Sequence, residues 1–552
     1  MGSSGTIPEL DLSKRIVCPT AVRLVLVLMA SPIRTSSFLL SKTSFLEGRQ
    51  CRLRLWLRAA GVRDVPPGGV DYDPAEDFVE QSREVERLAQ GLFSSGVDVS
   101  KLSVEDERSG GERTRELMRD PRTSALFQAE FQTDQMIGIV DILDRDDDGW
   151  ILYEVKASTS IKPIFHWDLA FQWLLLEECG YRVTSAKVLL LDEDYVHPGD
   201  PVNPDELLFA EDCTPVVRAL LPVVRDEIES QLSVLAETEP PTVQPSKRCK
   251  ANRSGRAGDR PSDCGHLHRL CQCGSQLPEH WSFQLPRLSQ SQADYLLDQE
   301  LVRIEDLQVE DPVANWSDLQ QRVILAVQQD QVWIDHQALG AELARLQWPL
   351  AFVDFEFDPG MAVPKFPGMR PYQQIPFQWS LLIQNTPHSP LETVEPFLHD
   401  AADDPREAFL DTLLARLPDS GSIVVHYQQA EWGVLNHYHE WFSGRYDTQL
   451  ADIHSRFADT CQIARDCYYH PAMRGSFSIK TLAPAVLGRG YDDLSIQDGM
   501  AAVRQWRQLI ATETDAMEKD AIRRDLLAYC HRDTELMFQI LETLQRLVRR
   551  PR

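Results

Sequence analysis

Four short stretches of this chain concentrate residue types that hold metal ions or move protons. In "FVDFEFDPG" (352–360) Asp354, Glu356 and Asp358 occupy alternate positions, and in "YCHRDT" Tyr529 stands four residues before Asp533. In "MIGIVDIL" (136–143) and "WILYEVKA" (150–157) Asp141 is followed by Glu154 and Lys156. Side chains at i, i+2 and i+4 of a strand share one face, so Val353, Phe355 and Phe357 point away from the three acids. Same-face neighbours lie about 7 Å apart, which sets about 2 kcal/mol of repulsion at an effective dielectric near 20. Beside a buried sheet that repulsion calls for a cation. Glu154 and Lys156 also share a face, and with Asp141 they offer oxygen ligands for Mg²⁺ and a positive charge for a phosphoryl transition state.

The elements that must position these groups can be read from periodicity. The runs 136–143 and 150–157 are β-rich and joined by "DRDDDG", a hairpin signal. A helix over 167–180 follows and places Asp168 and Gln172 one turn apart on one face. Glu130, in the upstream "LFQAEF", is a further carboxylate for this group. "RVTSAKVLLLDEDY" returns to strand, and "PAEDFVEQSREVERLAQGLFSSG" (74–96) reads as a helix with a glycine stop. Residues 1–35 read as a poorly ordered leader, residues 36–285 as one α/β domain, and residues 286–349 as a helical connector. Residues 350–552 read as a second α/β domain. In that domain "SIVVHYQQAEWGVLNHY" runs a strand into a helix carrying Glu431 in its first turn, and Tyr529 and Asp533 share a helical face with Leu526, Leu536 and Ile540.

Composition bounds the function. At 552 residues the chain is too long for one ordinary core, and its 43% hydrophobic fraction is that of a globular protein. A net charge of -28 argues against a protein that coats DNA non-specifically. Two basic patches, "GRQCRLRLWLRAAGVR" (48–63) and "SKRCKANRSGRAGDR" (246–260), could still contact phosphates. Eleven cysteines, an odd number spread over the whole chain, do not form a secreted disulfide framework. The apolar run "AVRLVLVLMA" is too short to span a bilayer, so a cytoplasmic protein without a membrane partner is expected.

The Asp141…Glu154-x-Lys156 spacing, with Gln172 in "DLAFQW", resembles the PD-(D/E)XK nucleases of the RecB type. That resemblance implies that Asp141 and Glu154 bind the catalytic metal, that Lys156 assists the attacking water, and that Gln172 contributes to the site. RecB-like CRISPR-adaptation nucleases carry an upstream histidine ligand, and Glu130 stands in that region here. Cys249, Cys264, Cys271 and Cys273 cluster in the basic, proline-rich segment, with Cys51 far upstream. This resembles the AddB-type arrangement, in which one early and three late cysteines hold a [4Fe–4S] cluster, and implies Cys51, Cys249, Cys264 and Cys271 as ligands with Cys273 as substitute. His266 and His268 would suit zinc with the same cysteines, and unligated thiols are the third reading.

The D-x-E stretch followed late in the chain by Tyr-x-x-x-Asp resembles the ribonuclease-H-like 3′–5′ exonucleases of the DnaQ superfamily in their tyrosine (DEDDy) form. The resemblance implies that Asp354, Glu356, Glu431 and Asp533 hold two Mg²⁺ or Mn²⁺ ions and that Tyr529 orients the attacking water. The superfamily's second motif has Asn and Asp where this chain has Gln428 and Glu431, and Asp459 in "RFADTCQ" is an alternative acid. Ser476, Ser478 and Lys480 in "GSFSIKTLAPAV" suit either phosphate contact or helix capping. The succession from "LSKTSFLEGRQC" to "YCHRDT" resembles a bacterial domain-of-unknown-function family in which a RecB-like nuclease is joined to a DnaQ-like exonuclease. It implies a restriction-endonuclease-like core followed by a ribonuclease-H-like domain, acting on DNA or RNA. The competing expectations are a catalytically worn nucleic-acid-binding scaffold, or a protein with only one active module.

Overall fold

The computed structural model describes residues 38–61, 75–93, 95–101, 109–199, 201–243 and 278–549. The leader and Cys249, Cys264, Cys271, Cys273, His266 and His268 lie outside the described residues. The chain is mixed α/β, built on two large mixed sheets.

The first sheet contains β1 (Leu40–Ser41), β2 (Gly96–Asp98), β3 (Ala125–Gln132), β4 (Met136–Asp146), β5 (Gly149–Val155), β6 (Val183–Leu191) and β7 (Leu208–Asp212). Its order is β2-β3-β4-β5-β6-β7, with β1 pairing β4 in parallel. The expected hairpin is β4–β5, antiparallel through Asp146↔Gly149. β5 and β6 run parallel, so a crossover is required, and α4 (Pro163–Glu178) supplies it. Proline at its first turn has no N–H to leave unpaired. This helix buries residues around most of its circumference because it is wedged between the sheet, α1 (Lys42–Gln50) and α5 (Thr214–Ala236), while α2 (Arg52–Ala59) packs on α5. On the opposite sheet face α3 (Ala75–Gln90) packs Val85 and Ala89 against Phe127, Tyr153, Val155 and Leu189.

A short pair, β8 (Trp333–Ile334) with β15 (Tyr468–Tyr469), lies beside the second large sheet. That sheet contains β9 (Leu350–Asp358), β10 (Ile375–Gln384), β11 (Leu391–Thr393), β12 (Phe397–Leu398), β13 (Ser422–Val425) and β14 (Phe457–Asp459). Its order is β11-β10-β9-β13-β14, with β12 on β10; β9 is antiparallel to β10 and parallel to β13. The alternation expected of β9 is present. Val353 and Phe355 enter a core with Phe409, Val434 and Tyr438, while Leu350 and Phe352 enter the core under α9 (Ala516–Arg549). Asp354 and Glu356 continue that second face. The core under α9 also takes in Trp281, Phe283, Leu296, Val323 and Leu339, so residues just before β9 pack with the second sheet.

The two sheets meet through residues 359–374, the loop between β9 and β10. Ala362 and Val363 complete the core on the α3 side of the first sheet, and the Ala362 amide donates to Gln81 Oε1 at 3.0 Å. His197 and residues 368–369 exchange two backbone bonds of 2.8 Å, and the Tyr372 hydroxyl donates to the Ala157 carbonyl at 2.6 Å. Gly360 enters this loop at φ +93°, where a Cβ would fall 2.5 Å from the Gln373 carbonyl oxygen, so only glycine fits. Among the described residues no helix is long and apolar enough to cross a membrane.

Candidate functional site

Four acids from three distant segments converge in the second sheet. Asp354 and Glu356 come from β9, Glu431 from the first turn of α6 (Gln428–Asn436), and Asp533 from α9. Glu356, Glu431 and Asp533 are buried. α9 is held against the β9–β10 pair by side chains flanking the acids. Gln378, opposite Glu356 in register, donates to the Leu526 carbonyl at 2.9 Å, and Ser380, opposite Asp354, bonds Thr534 Oγ1 at 3.0 Å.

The charges press on one another. Lost hydration, and then the fields of Asp533, Glu356 and Glu431, raise the Asp354 carboxyl well above its ordinary range. Burial and Asp533 do the same to Glu356, and burial raises Glu431. Burial lifts Asp533 to about 6, less than its neighbours because the Tyr491 hydroxyl donates to it and Lys480 and Arg532 lie near. Glu431 Oε2 is buried and has no hydrogen-bond partner. Four mutually repelling acids with one oxygen unsatisfied are a donor set that a divalent cation would complete. Among the described residues, Asp354, Glu356 and Cys530 each bring a ligand atom within 4.8 Å of the others.

Tyr529 is buried on the Asp533 side of α9, and burial followed by the Asp533 charge keeps its phenol well above its usual pKa. The Lys480 ammonium, on α7 (Ile479–Leu487), sits 5.3 Å from the Tyr529 ring centre and 5.6 Å from that of Tyr491. Ser478 caps that helix, accepting from the Lys480 amide.

The first sheet assembles the other predicted group. Asp141 Oδ2 accepts from the Val155 amide at 2.8 Å, Gln172 Nε2 donates to Glu154 Oε2 at 2.6 Å, and Lys156 Nζ bridges Glu154 Oε1 (2.6 Å) and Asp168 Oδ2 (2.8 Å). A second cation, Lys42 at the start of α1, reaches the same Glu154 Oε1 at 2.7 Å. Glu154 is fully desolvated, yet Lys156 and Lys42 hold its carboxyl far below the usual range, while burial and the Glu154 charge push Asp141 up to about 7. Burial opposes the ammonium of Lys156, but the charges of Glu154 and Asp168 outweigh it and raise its pKa. Asp168 Oδ1 and Gln172 Oε1 are buried without a hydrogen-bond partner.

Other predicted residues sit elsewhere. Asp358 shares the face of Asp354 and Glu356 but is taken by Arg507 of α8 (Gly499–Ile510) in a two-pronged pair of 2.8 and 3.0 Å. Gln128 adopts φ 53°, which breaks the alternation of β3; Ala129 and Phe131 enter the α4-side core, and the Glu130 carboxylate lies against Gly110. Asp459 accepts from the amides of Tyr427, Gln428, Cys461 and Gln462 and so caps two helix starts. Cys51, at the junction of α1 and α2, packs in a small cluster with Trp56, Val234 and Val243. Lys42, Tyr491 and Cys530 were not singled out from the sequence. Lys42 lies 112 residues from Glu154 and Tyr491 lies 42 from Asp533, and no local spacing signals either contact.

Residues 351–478 match the family described as Domain of unknown function (DUF2779). No curated protein matches the chain. The matched stretch contains Asp354, Glu356, Glu431 and the loop joining the two sheets.

Proposed function

We propose that the chain is a metal-dependent nuclease that hydrolyses phosphodiester bonds of DNA or RNA, with a RecB-like PD-(D/E)XK site in the first sheet and a DnaQ-like 3′–5′ exonuclease site in the second. The observation that carries the reading is the convergence of Asp354, Glu356, Glu431 and Asp533, raised carboxyls with one buried oxygen left unpartnered. These four would hold Mg²⁺ or Mn²⁺ in the second site, and Asp141 and Glu154 would do so in the first. Bound divalent ions supply Lewis acidity at the phosphate and a nucleophile at neutral pH. Burial and the Asp533 charge favour the protonated phenol of Tyr529, which suits it to donate a hydrogen bond and orient water. Lys480, above the two tyrosine rings, supplies positive charge for the phosphate. Lys156 likewise serves as a cation, since its carboxylate partners keep it protonated.

A structural [4Fe–4S] cluster, with zinc as the alternative, belongs to the same proposal. A second reading, in which only the exonuclease module turns over, is favoured by one observation. Lys42 and Lys156 already pair with Glu154, and Lys156 also with one oxygen of Asp168, in the first site. Incubating the full chain with labelled single-stranded DNA and either metal tests the proposal. Degradation that chelation abolishes is expected, and equal degradation by an Asp354→Ala/Lys156→Ala double variant would overturn it.

A further inference from the structure

The exonuclease-site reading uses only oxygen donors, yet a sulfur stands among them. Cys530 follows Tyr529 on α9, is fully buried, and directs its thiol at Asp354, 3.6 Å from the backbone oxygen and 3.5 Å from Oδ2. Zinc binds sulfur at about 2.3 Å and carboxylate oxygen at about 2.1 Å, so the S–O edge of a tetrahedral site is about 3.6 Å. The separation already present matches that edge, and Glu356 brings its oxygen into the same 4.8 Å cluster. Independently, Glu431 Oε2 is buried without a partner, and its charge is felt at both Asp354 and Glu356. Magnesium prefers hard oxygen ligands, whereas a thiolate selects softer ions.

We infer that Asp354, Glu356 and Cys530, with Glu431 as a nearby fourth donor, bind a thiophilic divalent cation of the zinc class. This deepens the exonuclease reading by assigning its site a soft-ion preference. On binding, the Cys530 S–H bond breaks, a sulfur–metal bond forms, and the proton passes to buffer with no change of oxidation state. A zinc-class ion would then compete with magnesium for Asp354 and Glu356.

The test titrates the reduced, anaerobic full chain with Cd²⁺, counting bound equivalents by dialysis and following the ultraviolet thiolate-to-cadmium charge-transfer band. Wild type, Cys530→Ser and Asp354→Asn are compared, so that cadmium held by other cysteines cancels in the difference. Wild type should bind one more tight equivalent than either variant, carry a band that Cys530→Ser lacks, and release that equivalent to Zn²⁺ more readily than to Mg²⁺. Equal equivalents and equal bands in all three proteins would overturn the inference, and Cys530 would then be a core thiol bonded to a carbonyl. If Cys530→Ser lacks a cooperative thermal transition, Asp354→Asn decides, since it keeps the thiol and an undiminished band in it is equally fatal. A Cys530-dependent band without Mg²⁺-supported cleavage removes the nuclease reading alone. Cleavage without that band removes this inference alone.

Discussion

Removing one carboxylate from the Asp354 cluster should stabilise the metal-free second module and abolish that module's response to divalent cations. In Asp354→Asn the side chain keeps its shape and loses its charge. Glu356 lies two residues along the same face of β9 and brings a carboxylate oxygen within 4.8 Å of one of Asp354, so this repulsion alone is worth about 2–3 kcal/mol at an effective dielectric near 20. Asp533 and Glu431 add to it, and partial protonation of the cluster subtracts from it. The Asp354 and Glu356 carboxyls are both raised, so between about pH 4 and their folded values the native state holds protons that the unfolded chain has released. Wild-type stability therefore falls as pH rises through that window. Asparagine does not titrate, so the variant's advantage should be close to nil near pH 4 and grow to about 2 kcal/mol near pH 8. In a module of about 200 residues that corresponds to melting about 4–8 °C above wild type in chelator. Magnesium at about a hundred times its Kd should then raise the second module of wild type by about 2.7 kcal/mol and leave that module of the variant where it was. Thermal unfolding in chelator and in magnesium, at acid and alkaline pH, measures all of this. A variant that melts below wild type in chelator near pH 8, or a gap that ignores pH, refutes the reasoning.

Arg507→Ala strands the buried Asp358 carboxylate and should cost about 3–5 kcal/mol in denaturant unfolding, much of it recovered when Asp358→Asn is added. Gly360→Ala places a methyl group against the Gln373 and Tyr372 backbone at positive φ, and should lower stability by about 1–3 kcal/mol in a thermal melt. Asp141 must lose its proton to ligate, and its carboxyl is pushed up to about 7, so Mn²⁺ affinity at the first site should rise with pH through neutrality. Manganese binding to an Asp354→Asn/Glu356→Gln variant, followed across pH, reads that site alone, and a flat profile would remove the Asp141 assignment.

Much of this arrangement was legible in local spacing. The two-residue alternation of β9 placed Asp354 and Glu356 on the face opposite Val353 and Phe355, and the four-residue spacing placed Tyr529 and Asp533 together on α9. The Asp141, Glu154, Lys156 and Gln172 group was legible for the same reason, because hairpin and crossover helix are local rules. What was not legible depended on partners remote in sequence or on a single backbone angle. Asp358 looked equivalent to Asp354 until Arg507, 149 residues away, claimed it. The positive φ of Gln128, which breaks the alternation just before Glu130, cannot be read from a strand-forming run. Asp459 looked like a spare ligand, but four backbone amides use its oxygens.

The central claim is that two separate acidic sites cut nucleic acid with divalent ions. A time course on 3′- and 5′-labelled single strands, run with wild type, Asp354→Ala and Lys156→Ala in magnesium or manganese, tests it most directly. The account predicts early release of the 3′ label by wild type, loss of that release in Asp354→Ala, and its persistence in Lys156→Ala, which loses instead the part of the cleavage that Asp354→Ala retains. Strands that stay intact with both metals, or identical product ladders from all three proteins, would contradict it.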